Sequence, residues 1–225
     1  MNIWMIMIVV MVLSALVQGM LQSRFSKYSK VPVANGMSGA EVAQKMLHDH
    51  GIYDVKVVPA RGMLTDHYNP QTKTVALSEG VYASRSVAAA AVAAHECGHA
   101  VQHAMGYAPL KMRSALVPVV SASSKWVTWV LLAGVMLIQS FPQVLLFGII
   151  LFACTTLFSF ITLPVEIDAS RRALAWLNHA GITNSRNQTQ ARDALKSAAY
   201  TYVIAAISSL ATLIYYVMIY MGRRD

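Results

Sequence analysis

The sequence predicts a mostly α-helical integral membrane protein with about four transmembrane helices and a small β-sheet. Hydrophobic residues make up 56% of the 225 residues and charged residues only 12%, about half the charged fraction of an average soluble domain. Four apolar stretches each approach the roughly 20 residues that a bilayer requires. The polar segments between these stretches contain helix caps and short runs with strand-like alternation.

The first apolar stretch extends over about residues 3–21. Basic residues are lacking before it, and Arg24, Lys27 and Lys30 follow it directly, which is the reverse of a signal peptide. We therefore expect an uncleaved anchor rather than a cleaved signal peptide.

Three more apolar stretches cover about residues 121–138, 144–163 and 200–221. Residues 139–143 leave room only for a tight turn, so the second and third stretches should form a hairpin. Buried core helices are the alternative, but fully apolar stretches of this length favour the membrane.

Loop charges predict the orientation, because cytoplasmic loops carry an excess of Lys and Arg. Fifteen such residues lie in the two polar segments around residues 22–120 and 164–199, against Arg223 and Arg224 after the last stretch. Both segments should therefore face the cytosol. The net charge is +8, and the Lys and Arg residues flank apolar segments. This arrangement favours binding to anionic lipid and argues against a nucleic-acid partner.

The first polar segment has several readable elements. Ser38 to Glu41 forms a capping box that opens a helix ending near Gly51. Residues 54–59 and 74–78 read as strands, and an Ala-rich helix should cover about residues 86–104. In the second polar segment a helix over residues 165–180 is followed by another that starts near Thr189 and could continue into the last stretch.

The segment His95-Glu96-Cys97-Gly98-His99 fits the HExxH pattern inside the Ala-rich helix. Residues i and i+4 share one helical face, so the imidazoles of His95 and His99 can bind one zinc ion. Glu96 is turned about 100° away from that face, and we expect it to accept a proton from zinc-activated water. Burying two histidines and a glutamate on an apolar helix would be costly without partners. The sheet should lie next to this helix.

Neighbouring residues are weaker candidates. Cys97 could supply a thiolate ligand, but the helix turns it away from the histidine face. His103 also stacks on that face, although one helix cannot easily aim three successive imidazoles at one ion. A disulfide between Cys97 and Cys154 is not expected, because one lies in the motif and the other in an apolar stretch.

A catalytic zinc takes three protein ligands and keeps one open position. The third ligand should come from another segment, and Glu166 is the best candidate. Asp168 is the rival ligand, but we expect it instead to be solvated or to support a ligand. Arg171 and Arg172 could pair with a carboxylate, stabilise an oxyanion or anchor the chain at the membrane surface.

Five segments together closely resemble the YugP-like family of bacterial membrane zinc metallopeptidases: Tyr28-Ser-Lys-Val-Pro32, Leu64-Thr-Asp-His-Tyr68, His95-Glu-Cys-Gly-His-Ala-Val-Gln-His103, Gly106-Tyr-Ala-Pro-Leu-Lys111 and Leu163-Pro-Val-Glu-Ile-Asp-Ala-Ser-Arg-Arg172. The resemblance covers nearly the whole chain. It implies peptide hydrolysis with one zinc ion held by His95, His99 and Glu166, and with Glu96 as general base.

This family is similar to the HtpX and CAAX-prenyl-protease group, whose third ligand opens a Glu-x-x-x-Asp motif. Ser170 stands where that Asp would be. Whether the Asp's role of holding a ligand histidine is kept in this chain is therefore open. In that group a strand before the zinc helix pairs with the substrate, and Thr74–Ser78 occupies the matching place, either for that purpose or as an ordinary structural strand. His67 or Tyr68 could donate to the tetrahedral intermediate.

We therefore expect a zinc metalloendopeptidase of the bacterial cell membrane, with a cytosolic active site that cleaves membrane-proximal or unfolded protein segments. The alternatives are a non-hydrolytic zinc-binding scaffold and a zinc-dependent lipid hydrolase. The expected parts of the chain are an N-terminal anchor (1–22), a cytosolic catalytic segment with the zinc helix (23–116), a transmembrane hairpin (117–163), cytosolic helices with the third ligand (164–199) and a C-terminal transmembrane helix (200–225).

Overall fold

The computed structural model describes residues 3–222, so Arg223 and Arg224 lie outside the described residues. Helices dominate this part of the chain. Their bounds are α1 Ile3–Tyr28, α2 Gly39–Asp49, α3 Glu79–Tyr82, α4 Val87–Ala104, α5 Ala108–Met136, α6 Pro142–His179 and α7 Ser185–Met221. The strands are β1 Lys56–Ala60, β2 His67–Asn69 and β3 Thr74–Ser78.

Four of the described helices, α1, α5, α6 and α7, are long and apolar enough to cross a membrane. This confirms the prediction of a mostly helical membrane protein with about four transmembrane helices and a small sheet. The five-part division into membrane and cytosolic segments depends on where the bilayer lies, and it stays a prediction.

The long helices extend beyond the predicted apolar stretches. α6 runs without a break through Pro164, so the prediction of separate elements at 144–163 and 165–180 was wrong. Proline lacks one N–H donor, but its fixed φ of about −65° is helical, so the helix continues at the cost of a lost hydrogen bond. α7 likewise starts at Ser185 and continues to Met221.

The sheet has the strand order β1-β3-β2, with β1 parallel and β2 antiparallel to β3. Strand β2 was not predicted, because three residues are too few for an alternation pattern. Thr74–Ser78 is the central strand, paired with β1 along its whole length and with β2 at Thr74–Ala76. Of the two roles considered for this strand, its central position favours the ordinary structural one.

The chain divides into two compact units, and the second comprises residues 17–110 and 165–200. Its hydrophobic core joins α2, the Ala-rich face of α4, strand β3 and the later part of α6. The predicted capping box is present, with the Ser38 side chain accepting from the N–H of Glu41 and the Glu41 side chain accepting from the N–H of Ser38. The small side chains of α4 let its neighbours approach closely, so the HExxH segment lies on a closely packed helix.

The first unit comprises residues 111–164 and the described parts of residues 1–16 and 201–225. Here α5 and α6 pack closely at Gly134, where an added Cβ would lie only 2.5 Å from the Cα of Leu145. Large apolar side chains such as Trp126 and Trp129 remain about two-thirds exposed. Such an apolar surface is suited to lipid rather than to water.

Candidate metal centre

The first two candidate ligands come from α4. Ser86 caps this helix by accepting a hydrogen bond from the N–H of Ala89. His95 and His99 lie on one face of the helix, with their rings edge to face, ring centroids 4.8 Å apart and ring planes at 81°. His99 is buried and His95 is slightly more exposed, so the histidine pair sits at the edge of the core rather than in solvent.

Glu166 reaches the two histidines from α6. Its Oε2 lies 3.3 Å from Nε2 of His95 and 3.7 Å from Nε2 of His99, and its side chain is only 3% exposed. Within residues 3–222, these three residues are the group of potential metal ligands whose donor atoms lie close together, all within 4.8 Å of one another. The structure therefore brings together the three ligands that the sequence proposed.

A close approach of α4 and α6 makes this meeting possible. A Cβ on Gly98 would lie 2.7 Å from the carbonyl oxygen of Ala169 and 3.2 Å from its Cα. Any larger residue would have to displace the backbone of α6. Ala169 follows Glu166 by three residues, so Gly98 sets how near Glu166 comes to the histidines.

The second nitrogen of each candidate ligand histidine has its own partner. Nδ1 of His95 lies 3.1 Å from Oγ of Ser170, and Nδ1 of His99 lies 3.0 Å from Oε1 of Gln102. Ser170 therefore contacts a candidate ligand histidine, although a hydroxyl stands in place of the carboxylate of the Glu-x-x-x-Asp motif. Gln102 was not among the residues predicted for the site, although its position three residues after His99 on the same helical face indicates such a contact.

Asp168 is buried rather than solvated. Its carboxylate accepts hydrogen bonds from Gln102, Arg171 and Arg172, and it lies outside the group of clustered donor atoms. Both arginines thus pair with a carboxylate, which was one of the three roles considered for them. Arg172 also lies over the ring of Tyr107, 5.7 Å from its centroid.

The electrostatics around the histidines favour positive charge. Burial alone would lower the pKa of His99, but the hydrogen bond to Glu166 and the negative charges of Glu96 and Glu166 raise it above its usual value. Glu96 is buried at 8% exposure beside this group. Two buried carboxylates next to two imidazoles form a site that a cation would stabilise.

Cys97 points away from this group. Its Sγ lies 3.5 Å from the carbonyl oxygen of Ala43 on α2, and burial raises the pKa of the thiol. A protonated thiol facing another helix is not a metal ligand. Cys97 and Cys154 are both free, as expected for a chain without a disulfide.

His103 and Tyr68 form a separate pair. The phenol oxygen of Tyr68 on β2 lies 2.8 Å from Nδ1 of His103 on α4, which ties the edge strand to the zinc helix. His67 is turned to the carbonyl oxygen of Thr65. Neither histidine joins the clustered donor atoms, in line with the view of His103 as a neighbour of the site.

The donor set fits zinc. Two imidazole nitrogens and one carboxylate oxygen are a common set for catalytic zinc, and two ligands about 2.0–2.1 Å from a tetrahedral ion lie roughly 3.3 Å apart. The separations of 3.3 and 3.7 Å from Glu166 to the two histidines are close to this value. Because Ser170 and Gln102 engage Nδ1 in each ring, the Nε2 atoms are left to face a metal ion.

Comparison with known proteins agrees with this chemistry. A family described as "Putative neutral zinc metallopeptidase" matches residues 3–221. The chain belongs to this zinc metallopeptidase family. It is also 45% identical over 213 residues to "Putative membrane protease YugP" of Bacillus subtilis (strain 168), covering 95% of this chain and 94% of that relative. A search of the solved structures gives no match.

Membership of the family settles the coarse properties of this zinc metallopeptidase. Its cofactor is zinc, its substrates are proteins or peptides, and its four apolar helices belong in a lipid bilayer. The resemblance noted from the sequence motifs is thereby confirmed, and it extends over nearly the whole chain.

Proposed function

We propose that this metallopeptidase is a membrane endopeptidase of the HExxH type, with zinc held by His95, His99 and Glu166 and with Glu96 as general base. The observation that carries the proposal is the convergence of three donor atoms within 4.8 Å from two helices, with a buried glutamate next to the first ligand. The bound zinc would polarise the scissile carbonyl and acidify the attacking water.

Glu96 performs the proton transfers in this proposal. It follows His95 by one residue, a helical step of about 100°, so its carboxylate lies beside the ligands rather than among them. From that place it accepts a proton from the attacking water and later passes it to the leaving amine. Its burial at 8% exposure limits competition from solvent.

Two other functions compete with this proposal, a zinc-binding scaffold and a zinc-dependent lipid hydrolase. A scaffold needs no base beside its metal, so the buried Glu96 argues against it. A lipid hydrolase could use the same residues. The family description and the relative's name both indicate a peptidase, which favours peptide over lipid.

We infer that the substrates are membrane-proximal or unfolded protein segments. Along the sequence, Glu166 follows Leu163, the end of the predicted third span, by three residues. An extended peptide can bind by adding to an exposed sheet edge. Strand β2 is at the edge of the sheet, and the bond between Tyr68 and His103 ties it to the zinc helix. We therefore assign the peptide-binding edge to β2 instead of β3.

We further propose that the chain lies in the bacterial cell membrane with this site on the cytosolic side. The support is the excess of Lys and Arg in the two polar segments, fifteen against two after the last span, under the positive-inside rule. On this topology the cytosolic parts are residues 23–116 and 164–199, and the membrane parts are residues 1–22, 117–163 and 200–225.

The decisive experiment is the substitution Glu96→Gln in the full chain purified in detergent. The amide keeps the shape of the carboxylate but cannot take up a proton, so kcat on an unfolded membrane-protein substrate should fall about 10²–10⁴-fold. Zinc content should stay at the wild-type level. Glu79→Gln, at an exposed glutamate of α3, is the matched control and should leave both quantities unchanged.

Two outcomes would contradict the proposal. Unchanged turnover of Glu96→Gln at normal zinc content would remove Glu96 from the mechanism. Release of fatty acid from phosphatidylglycerol vesicles, without new peptide ends from protein substrates, would instead identify a lipid hydrolase.

A further inference from the structure

Gln102 is completely buried, and all of its polar groups are engaged. Its Oε1 accepts from Nδ1 of His99 at 3.0 Å. Its Nε2 donates to the carbonyl oxygen of Val165 and to Oδ2 of Asp168, both at 2.9 Å. The side chain therefore spans from α4 to α6, and its two partners on α6 stand on either side of Glu166.

Only an amide side chain can make this set of contacts. It offers an acceptor oxygen and two N–H donors on one rigid plane. A glutamate at this position could still accept from His99, but it would lose both donors and place a second negative charge against Asp168. A methionine would fill similar space but could make none of the three hydrogen bonds.

Asp168 is itself held in place, which gives the bridge a fixed end. Arg171 and Arg172 both donate to its carboxylate, so its charge is neutralised and its orientation is set. The contact to His99 therefore continues through Gln102 and Asp168 to two cations on α6. Because every group in this chain of contacts is paired, the network is rigid rather than adaptable.

We propose that Gln102 is a positioning residue that fixes the ring of His99 and ties it to α6 on both sides of Glu166. Two zinc ligands on separate helices are thereby held at one separation. The inference rests on the proposed zinc site and adds the residue that keeps the second and third ligands in register. Partners of ligand histidines typically contribute 10–100-fold to metal affinity.

The test compares zinc affinity with the stability of the metal-free fold. The full chain is purified in detergent as wild type, Gln102→Met, Gln102→Glu and Gln188→Met. Gln188 is the matched control, because it bonds to the carbonyl oxygen of Leu174 and to Thr183 rather than to a ligand histidine. Zinc affinity is measured by competition with a chromogenic chelator, and stability as the Tm of the metal-free protein.

We expect Gln102→Met to weaken zinc binding about 10–100-fold, while Gln188→Met lowers Tm and leaves zinc affinity unchanged. Gln102→Glu should lower Tm the most, because it loses two donors and repels Asp168, yet it should weaken zinc binding less than Gln102→Met, because its carboxylate still accepts from His99 although the tie to α6 is lost. If Gln102 were purely structural, the variant with the lowest Tm could not bind zinc more tightly than Gln102→Met.

Zinc affinity that follows Tm across the four proteins would overturn the inference, and so would equal affinity of Gln102→Met and wild type. If Gln102→Glu does not fold, the comparison of Gln102→Met with Gln188→Met decides alone. A wild-type protein that binds zinc but cleaves no peptide would contradict the proposed function and leave this inference standing.

Discussion

Replacing Gly98 with alanine tests whether the approach of α4 to α6 sets the zinc site. The added Cβ would lie 2.7 Å from the carbonyl oxygen of Ala169. Carbon–oxygen contacts are normally no closer than about 3.3 Å, so α6 must move away by roughly 0.6 Å at this point. Glu166, one helical turn earlier, should move with it.

The expected effect on folding is small. Overpacking in a core costs about 1–3 kcal/mol, whereas alanine is favoured over glycine inside a helix by about 1 kcal/mol. The difference leaves a destabilisation of about 0–2 kcal/mol, which a typical domain tolerates. The metal site is less tolerant, because ligand distances must hold to about 0.2 Å. We expect zinc affinity to fall by about 10–100-fold, or about 1.4–2.7 kcal/mol.

The assay is chelator competition for zinc, with Tm of the metal-free protein measured alongside. Two glycines serve as controls. Gly80→Ala adds a methyl group into open space, whereas Gly39→Ala would place a Cβ 2.2 Å from the carbonyl oxygen of Val81, a clash with α3, which carries none of the candidate zinc ligands. We expect Gly39→Ala to lower Tm without changing zinc affinity. Zinc affinity of Gly98→Ala within twofold of wild type, at reduced Tm, would refute the reasoning.

Two further predictions concern the ligand set and the topology. Glu166→Ala should lose zinc, because its carboxylate lies 3.3 and 3.7 Å from the imidazoles, while Asp168→Ala should keep most of it; metal analysis showing the reverse would make Asp168 the ligand. A single cysteine at Lys73, in a background with Cys97 and Cys154 replaced, should resist impermeant maleimide in intact cells and react after lysis. Labelling from outside would reverse the proposed orientation.

Much of the architecture could be predicted because it depends on local patterns. The capping box at Ser38, strand β3 and the helix that starts after Ser86 were predicted with nearly the observed bounds. Each follows from neighbouring residues within about one helical turn or one strand. The four apolar stretches were equally readable, since length and composition decide them. The predicted break at Pro164 is absent, and the last helix begins at Ser185 rather than near Thr189, because packing decides whether a helix continues.

Strand β2 and the central position of β3 were not readable from the sequence. His67–Asn69 forms a strand only because it pairs with β3, and the order of strands depends on contacts between segments. The bond between Tyr68 and His103 joins residues 35 positions apart, for which no local pattern gives a signal.

At the candidate site, the spacing of His95 and His99, the place of Glu96 beside them and the few carboxylates available as third ligand can be read from the sequence. The tertiary structure decided that Glu166 meets the histidines while Asp168 supports Gln102, and that Ser170 and Gln102 hold the imidazoles. The physical reason is range. A helix fixes which residues share a face, but the contact between His95 and Glu166 spans 71 positions and exists only because Gly98 lets α6 approach.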